Sequence, residues 1–169
     1  PLTAGFLCSG SANMRLYSFY GVPDEKLVPF AYSWGSDPLL LSSTDILGNK
    51  TQLREELGIP KDSRVILFCG RLHSEKNPLH LLESYAKINT PNTILAFVGD
   101  GDLRESLEEY AVARNIATVR FFGFQDRNDI VKYYAVADAL VLPSFRESWG
   151  IVVNEAMCFG LPIIVSDQV

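Results

Sequence analysis

Two acids and two cations are the residues of this 169-residue chain whose type and spacing could do chemistry. Glu147 and Glu155 stand with seven residues between them in the stretch Pro143–Gly160. A helix is predicted from about Gly150 to Phe159, stopped by Gly160 and Pro162. Within it the positions three and four away from Glu155 are Ile151, Val152, Cys158 and Phe159, all apolar, so Glu155 projects from the face that should be buried. A carboxylate there is costly unless it accepts hydrogen bonds, and the vicinal hydroxyls of a ribose or sugar would supply them. Glu147 lies before the helix, at its positive end. The structural alternative is that Glu155 bonds a nearby backbone N–H and that Glu147 is a solvated loop acid.

The cations lie in Gly70-Arg71-Leu72-His73-Ser74-Glu75-Lys76-Asn77. Gly70 permits a sharp turn, and Arg71 and Lys76 place positive charge beside the start of the next helix. Free N–H groups and the dipole at that start make the loop suited to a phosphate or diphosphate, although basic loop residues are more often simply solvated. A third segment, Gly99-Asp100-Gly101-Asp102-Leu103-Arg104, begins like a dinucleotide fingerprint but carries Arg104 where the third glycine should stand. It reads as a turn into a helix running near a base, and not as a nicotinamide site. No cluster with metal-ligand spacing accompanies these residues, so no metal is expected at the site.

The elements that must position these residues are legible from periodicity. Short apolar runs rich in β-branched residues occur at 64–69, 93–98, 117–122, 138–142 and 162–165. They are apolar almost throughout, as in strands of a parallel sheet covered on both faces. Helical patterns alternate with them. Leu79, Leu82 and Ala86 share a face of a helix over 78–89, with Asn77 as N-cap and Pro78 at the first position. Asp102 and Glu105 resemble a capping box ahead of Leu103, Leu107 and Ala111 over 102–113, and Ile130, Tyr134 and Ala135 mark a helix over 126–136. The class is α/β: an open parallel sheet flanked by helices, Rossmann-like. In such sheets ligands bind at the carboxyl ends of the strands, where all three segments above fall.

The first sixty residues differ. Ala4–Cys8 reads as a strand, Ser11–Tyr20 as a helix ended by Gly21-Val22-Pro23, and an irregular stretch with Trp34-Gly35 and Asp37-Pro38 precedes a short helix at about 50–57. Residues 1–40 are accordingly assigned to the end of a preceding domain and its crossing, and 41–169 to a second domain. An N-terminal extension of one domain is the alternative. The net charge of −5 argues against nucleic acid as a partner. Three scattered cysteines, Cys8, Cys69 and Cys158, fit neither a disulfide framework nor a zinc site and suggest a cytoplasmic setting.

The spacing of Glu147 and Glu155, with Pro143-Ser144 before and Gly160-Leu161-Pro162 after, closely resembles the group 1 (family 4) retaining glycosyltransferases. The resemblance continues through Phe68-Cys69-Gly70-Arg71-Leu72, Lys76-Asn77, Val98-Gly99-Asp100-Gly101 and Arg120–Phe124, covering about 64–169 in the family's order. Gly21–Pro29 resembles the family's crossing between domains. The resemblance implies a GT-B fold whose C-terminal domain binds the donor, a nucleotide-diphosphate sugar. It implies that Arg71 and Lys76 contact the diphosphate, with Gly70 in the same donor-binding loop, that Glu155 bonds the ribose, and that Phe122, Gly123 and Phe124 line the base through their main chain. The backbone N–H groups of Trp149, Gly150 and Ile151 would hold sugar and phosphate, with Glu147 the catalytic acid beside the donor sugar.

Retention implies front-face attack, the leaving diphosphate helping to take the proton of a glycan, lipid or small-molecule acceptor. No cofactor beyond the co-substrate is implied. Ser148-Trp149 stands where the family often has Gly-Phe, and Asn77 where Gly is common. The resemblance further implies an acceptor domain ahead of Pro1 and closing helices after Val169. The chain alone would then bind donor without transfer and self-associate, and the full-length enzyme could associate with a membrane. A non-catalytic nucleotide-binding module and a GT-B-fold sugar-nucleotide epimerase are the competing functions. A phosphorylase would need a pyridoxal phosphate lysine in a context not found here.

Overall fold

The computed structural model describes residues 3–30, 46–88, 90 and 92–169. The irregular stretch with Trp34-Gly35 and Asp37-Pro38, the boundary at 40/41 and the last position of the helix over 78–89 lie outside the described residues. The chain divides into two compact units, Pro1–Gly35 and Ser36–Val169.

In the small unit, strand β1 (Phe6–Cys8) pairs parallel to β2 (Leu27–Pro29). Helix α1 (Ser11–Phe19) links them, the Phe6 ring lying 5.1 Å from that of Tyr17. Gly21 ends this helix as the sequence requires. Its φ of 81° is left-handed, and it lets Val22 N–H reach back to Tyr17 O (3.0 Å) and Gly21 N–H to Ser18 O (2.9 Å).

The larger unit holds helix α2 (Lys50–Glu56) and then β3 (Arg64–Cys69), α3 (Pro78–Ile88), β4 (Thr93–Val98), α4 (Arg104–Ala113), β5 (Val119–Phe121), α5 (Ile130–Val136), β6 (Ala139–Leu142), α6 (Ile151–Cys158) and β7 (Ile163–Val165). The five strands form one parallel sheet in the order β5-β4-β3-β6-β7. Alternation along the strands sorts the core onto two faces. Val65, Leu67, Cys69, Ile94, Ala96 and Val98 pack with Tyr134 and Ala135 of α5 and Ala156 of α6. Phe68, Leu95 and Phe97 pack with Leu82 and Tyr85 of α3 and Leu107 and Ala111 of α4. Phe68, Phe97 and Phe121 are paired across three neighbouring strands, with ring centroids 5.3 and 5.1 Å apart, the second pair stacked within 7°. Removing Phe97, fully buried in the middle of this ladder, would cost about 3–5 kcal/mol.

Details of the helices correct the sequence reading. Leu79 is 41% exposed, and the buried stripe of α3 is Pro78, Leu82 and Tyr85. Asn77 stands at the N-cap position, its carbonyl accepting from Leu81 N–H (3.4 Å), but its side chain makes no hydrogen bond to α3 among the described residues; it adopts φ 55°, ψ 41° after a short turn of 3₁₀ helix at Ser74–Lys76. The left-handed conformation explains the residue type, since asparagine tolerates it best after glycine. Asp102 does not cap α4 either: that helix begins at Arg104 without a side-chain cap, and the Asp102 carboxylate is turned to His73.

An ionic clasp fixes α2 beneath the sheet, and nothing in the local sequence announced it. Buried Arg54 donates to the carbonyls of Lys61 and Ser63 (both 2.8 Å) and Val136 (3.0 Å), and to Asp138 Oδ2 (2.9 Å). Asp138 also accepts from Val65 N–H (2.8 Å) and Lys50 Nζ (2.9 Å). These bonds tie α2, the start of β3 and the α5–β6 junction together.

Candidate functional site

The strand order places the site before any side chain is considered. From β3 the chain builds outward through β4 to β5, then returns to lay β6 and β7 on β3's other edge. The helices that follow β3 and β4 cover one face, and the helix that follows β5 covers the other. The crossovers therefore part above the carboxyl ends of β3 and β6. A crevice at such a reversal is where open α/β sheets bind ligands. The loop after β3 carries Gly70, Arg71 and Lys76, and the loop after β6 carries Glu147, Trp149 and Gly150.

Glycines let the loops close on one another. Gly99 has φ 136°, and a Cβ on it would lie 1.9 Å from Gly70 O; a Cβ on Gly101 would lie 2.5 Å from Leu72 O. Gly70 N–H donates to Val98 O (3.0 Å), Leu72 N–H to Asp100 O (2.9 Å), Leu103 N–H to Leu72 O (3.0 Å) and Gly99 N–H to Gly123 O (2.8 Å). The Gly99-Asp100-Gly101 segment thus braces the Arg71 loop.

Three adjoining cavities run across the crevice. An apolar one of about 480 Å³ lies between Cys69–Arg71, Val98–Asp100, Phe124-Gln125, Ile130 and Val152. The next, about 220 Å³, shares Cys69, Gly70 and Val152 with it and adds Lys76, Leu142 and Glu147–Ile151 at the amino end of α6. The last, about 250 Å³ and polar, is lined by Arg71, His73, Glu75, Lys76 and Arg146–Ser148. A further cavity of about 440 Å³, beside β5 and α4, is lined by none of the candidate residues.

Within the crevice Lys76 and Glu147 form an ion pair, their side chains 19% and 12% exposed. Glu147 also accepts N–H bonds from Ser148 (3.1 Å) and Gly150. Burial pushes its pKa upward, but the Lys76 ammonium and these N–H groups outweigh that and hold the carboxyl below its ordinary range. Glu147 is thus an anion at neutral pH, suited to stabilising positive charge and not to donating a proton. Gly150 takes the left-handed conformation (φ 68°) that starts α6, and Val153 N–H closes the first turn on its carbonyl (2.8 Å). Arg71 is exposed and has no hydrogen bond or ion pair among the described residues, leaving its guanidinium available to a ligand.

Glu155 proves to have a protein partner. Tyr134 Oη donates to its Oε2 (2.7 Å), and the same hydroxyl lies 3.4 Å from Cys69 Sγ. Burial pushes the Cys69 thiol up to about 12 and Tyr134 well above its ordinary value, so both stay protonated. A phenol, rather than the backbone N–H of the structural alternative, answers part of the cost of this half-buried acid. Glu155 lies one helical turn beyond Val152, which lines both the apolar and the central cavity.

Of the segment expected to line a base, Phe124 is 77% exposed and faces the apolar cavity. Phe122 turns inward against Tyr133 (4.9 Å), and its N–H and carbonyl are taken by Phe97 O (2.9 Å) and Gln125 Nε2 (2.8 Å). Sequence reasoning missed Tyr134 and the His73–Asp102 pair as site neighbours, because both depend on contacts between distant segments.

Comparison with known proteins gives the family and the fold. The family described as "Glycosyl transferases group 1" matches residues 49–169. The chain belongs to this glycosyltransferase family. An uncharacterized glycosyltransferase of Methanocaldococcus jannaschii is 33% identical over 160 residues, covering 94% of this chain and 40% of that relative. The UDP-Gal:alpha-D-GlcNAc-diphosphoundecaprenol alpha-1,3-galactosyltransferase of Escherichia coli is 37% identical over 125 residues, 70% of this chain and 32% of the relative. Anabaena HepE, solved in complex with UDP, superposes with a TM-score of 0.81 at 20% identity, over 98% of this chain and 45% of that one. The fold is that of GT-B glycosyltransferases, and the chain spans less than half the length of these glycosyltransferase relatives.

Proposed function

We propose that the crevice binds a nucleoside-diphosphate sugar and that the protein transfers the sugar to an acceptor with retention of anomeric configuration. The observation that carries this reading is that the Lys76–Glu147 pair lines two adjoining cavities above β3 and β6, one holding Arg71 and the other the amino end of α6. Arg71, Lys76 and the helix end stabilise the diphosphate as it departs. Glu147, already ionised, faces the sugar carbon as it becomes oxocarbenium-like. The apolar cavity beside Phe124 takes the base, and Glu155 the ribose hydroxyls. The name of the Escherichia coli relative supports a nucleotide sugar as donor.

In this reading a diphosphate competes with Glu147 for Lys76, and its arrival frees a carboxylate oxygen for a sugar hydroxyl. The front-face mechanism needs no metal at the diphosphate, because two cations and a helix end occupy that role. The protein acts in the cytoplasm, where nucleotide sugars are made.

A thermal-shift screen of UDP-, GDP- and ADP-sugars tests the reading. One nucleotide series is expected to raise the melting temperature, with the sugar-bearing form above the bare nucleoside. Equal, null shifts for all would contradict it.

A further inference from the structure

We propose that Tyr134 is a positioning residue for ribose recognition, holding the Glu155 carboxylate in the orientation that accepts the ribose hydroxyls; this rests on the reading of Glu155 given above. The Tyr134 ring is fully buried and stacks on Phe159 with centroids 5.5 Å apart and planes within 24°. Phenylalanine would satisfy that packing. The hydroxyl is therefore the informative atom, because burying it in an apolar cluster costs free energy unless it finds a partner.

Its partner is the carboxylate of Glu155, on the neighbouring helix, at 2.7 Å. The other neighbour of that hydroxyl is Cys69, the last residue of β3, which lines both the apolar and the central cavity. The bond therefore lies directly behind Cys69 and Val152 of the crevice lining and ties one carboxylate oxygen to α5. With Oε2 held, the carboxylate presents its remaining acceptor positions in one direction. A ribose meets a prepared group and does not have to order it. The high pKa of the phenol keeps its proton on the bond throughout the pH range in which nucleotides bind.

The test is calorimetry with whichever of UDP, GDP and ADP binds the wild type most tightly, and with its 2′,3′-dideoxy analogue, on the wild type, Tyr134→Phe, Glu155→Gln and the double variant, each first checked for a cooperative melt. The wild type is expected to prefer the ribonucleotide, and Tyr134→Phe to lose roughly tenfold of that preference, the size of one hydrogen bond to a charged group. Affinity for the dideoxy compound should stay unchanged. In the Glu155→Gln background the Tyr134→Phe change should have little further effect on the preference, because the phenol acts through the carboxylate.

Equal weakening of both nucleotides by Tyr134→Phe would make the tyrosine merely structural and overturn the proposal. So would an undiminished, roughly tenfold further loss when Tyr134→Phe is added to Glu155→Gln. If the wild type itself shows no preference for the ribonucleotide, the assignment of Glu155 falls, and this proposal falls with it. If Tyr134→Phe alone melts too low to measure, the same cycle run below its melting temperature with Tyr134→His, which keeps a ring and a donor, supports the proposal by retaining part of the preference and overturns it by retaining none.

Discussion

Lys76, on the turn after β3, and Glu147, on the loop after β6, form an ion pair across the crevice between two strands that are hydrogen-bonded neighbours at the centre of the sheet. The pair joins the two loops from which a ligand would be held. It also occupies the cation that a diphosphate would need.

Arg71→Ala and Lys76→Ala are expected to weaken nucleoside diphosphates far more than nucleosides, by roughly tenfold or more for each lost charge-assisted bond. Lys76→Ala should show a loss at least as large as Arg71→Ala, because it also leaves the ionised Glu147 without its counter-ion beside the diphosphate. Calorimetry of UDP against uridine measures both. Equal losses for nucleoside and diphosphate would remove these residues from the anion site.

The depressed pKa of Glu147 sets a pH dependence. A carboxyl whose folded-state pKa lies below its unfolded value contributes stability that is complete above the unfolded value, 4.5, and is lost as pH falls through the folded one. The stability difference between wild type and Glu147→Gln should therefore be constant from neutral pH to about 5 and shrink only in stronger acid. Urea titrations across that range check it; a difference that fades between pH 7 and 6 would contradict the ion pair.

Gly99→Ala tests the bracing of the Arg71 loop. The added Cβ meets Gly70 O at 1.9 Å from a backbone with φ 136°, so the two loops must part. A loss of about 2–4 kcal/mol in stability is expected, with weaker nucleotide binding, because strain and overpacking act together. Gly160→Ala, with the same sign of φ but open space around it, should cost less and leave binding unchanged. Equal effects from the two would show that the close approach of the loops does not matter.

Much of this architecture was legible in the sequence for a physical reason. Strands buried on both faces read as continuous apolar runs, and β3 through β7 lie within the predicted limits. Glycines and prolines marked the helix ends at Gly21 and Gly160. What local pattern could not supply was the choice among partners far apart in sequence. Asp102 has the spacing of a cap, yet it pairs with His73 when the two loops close. Leu79 keeps the helical period but falls on the solvent side of α3. Glu155 was recognisable as an acid on an apolar face, but its phenol donor comes from another helix.

The Arg54–Asp138 clasp is the clearest of these long-range contacts and carries its own test. Arg54→Ala leaves the carbonyls of Lys61, Ser63 and Val136 without this donor, while Asp138 keeps Lys50 and the Val65 N–H. A destabilisation of about 1–3 kcal/mol follows from leaving the buried Ser63 and Val136 acceptors unsatisfied. Denaturant melts measure it, and a change within about 0.5 kcal/mol, as for an ordinary surface substitution, would show that the clasp does not hold α2.

The central claim is that a nucleoside diphosphate occupies the crevice above β3 and β6. Backbone amide shifts followed while UDP, GDP and ADP are titrated in turn into isotope-labelled protein test it most directly. The account predicts that at least one of them moves the amides of Gly70, Arg71, Gly99, Phe124, Gly150 and Ile151 with a common dissociation constant. Shifts confined to Val112 and Asn115–Ala117, around the separate cavity beside β5, or no saturable shifts with any of the three, would contradict it.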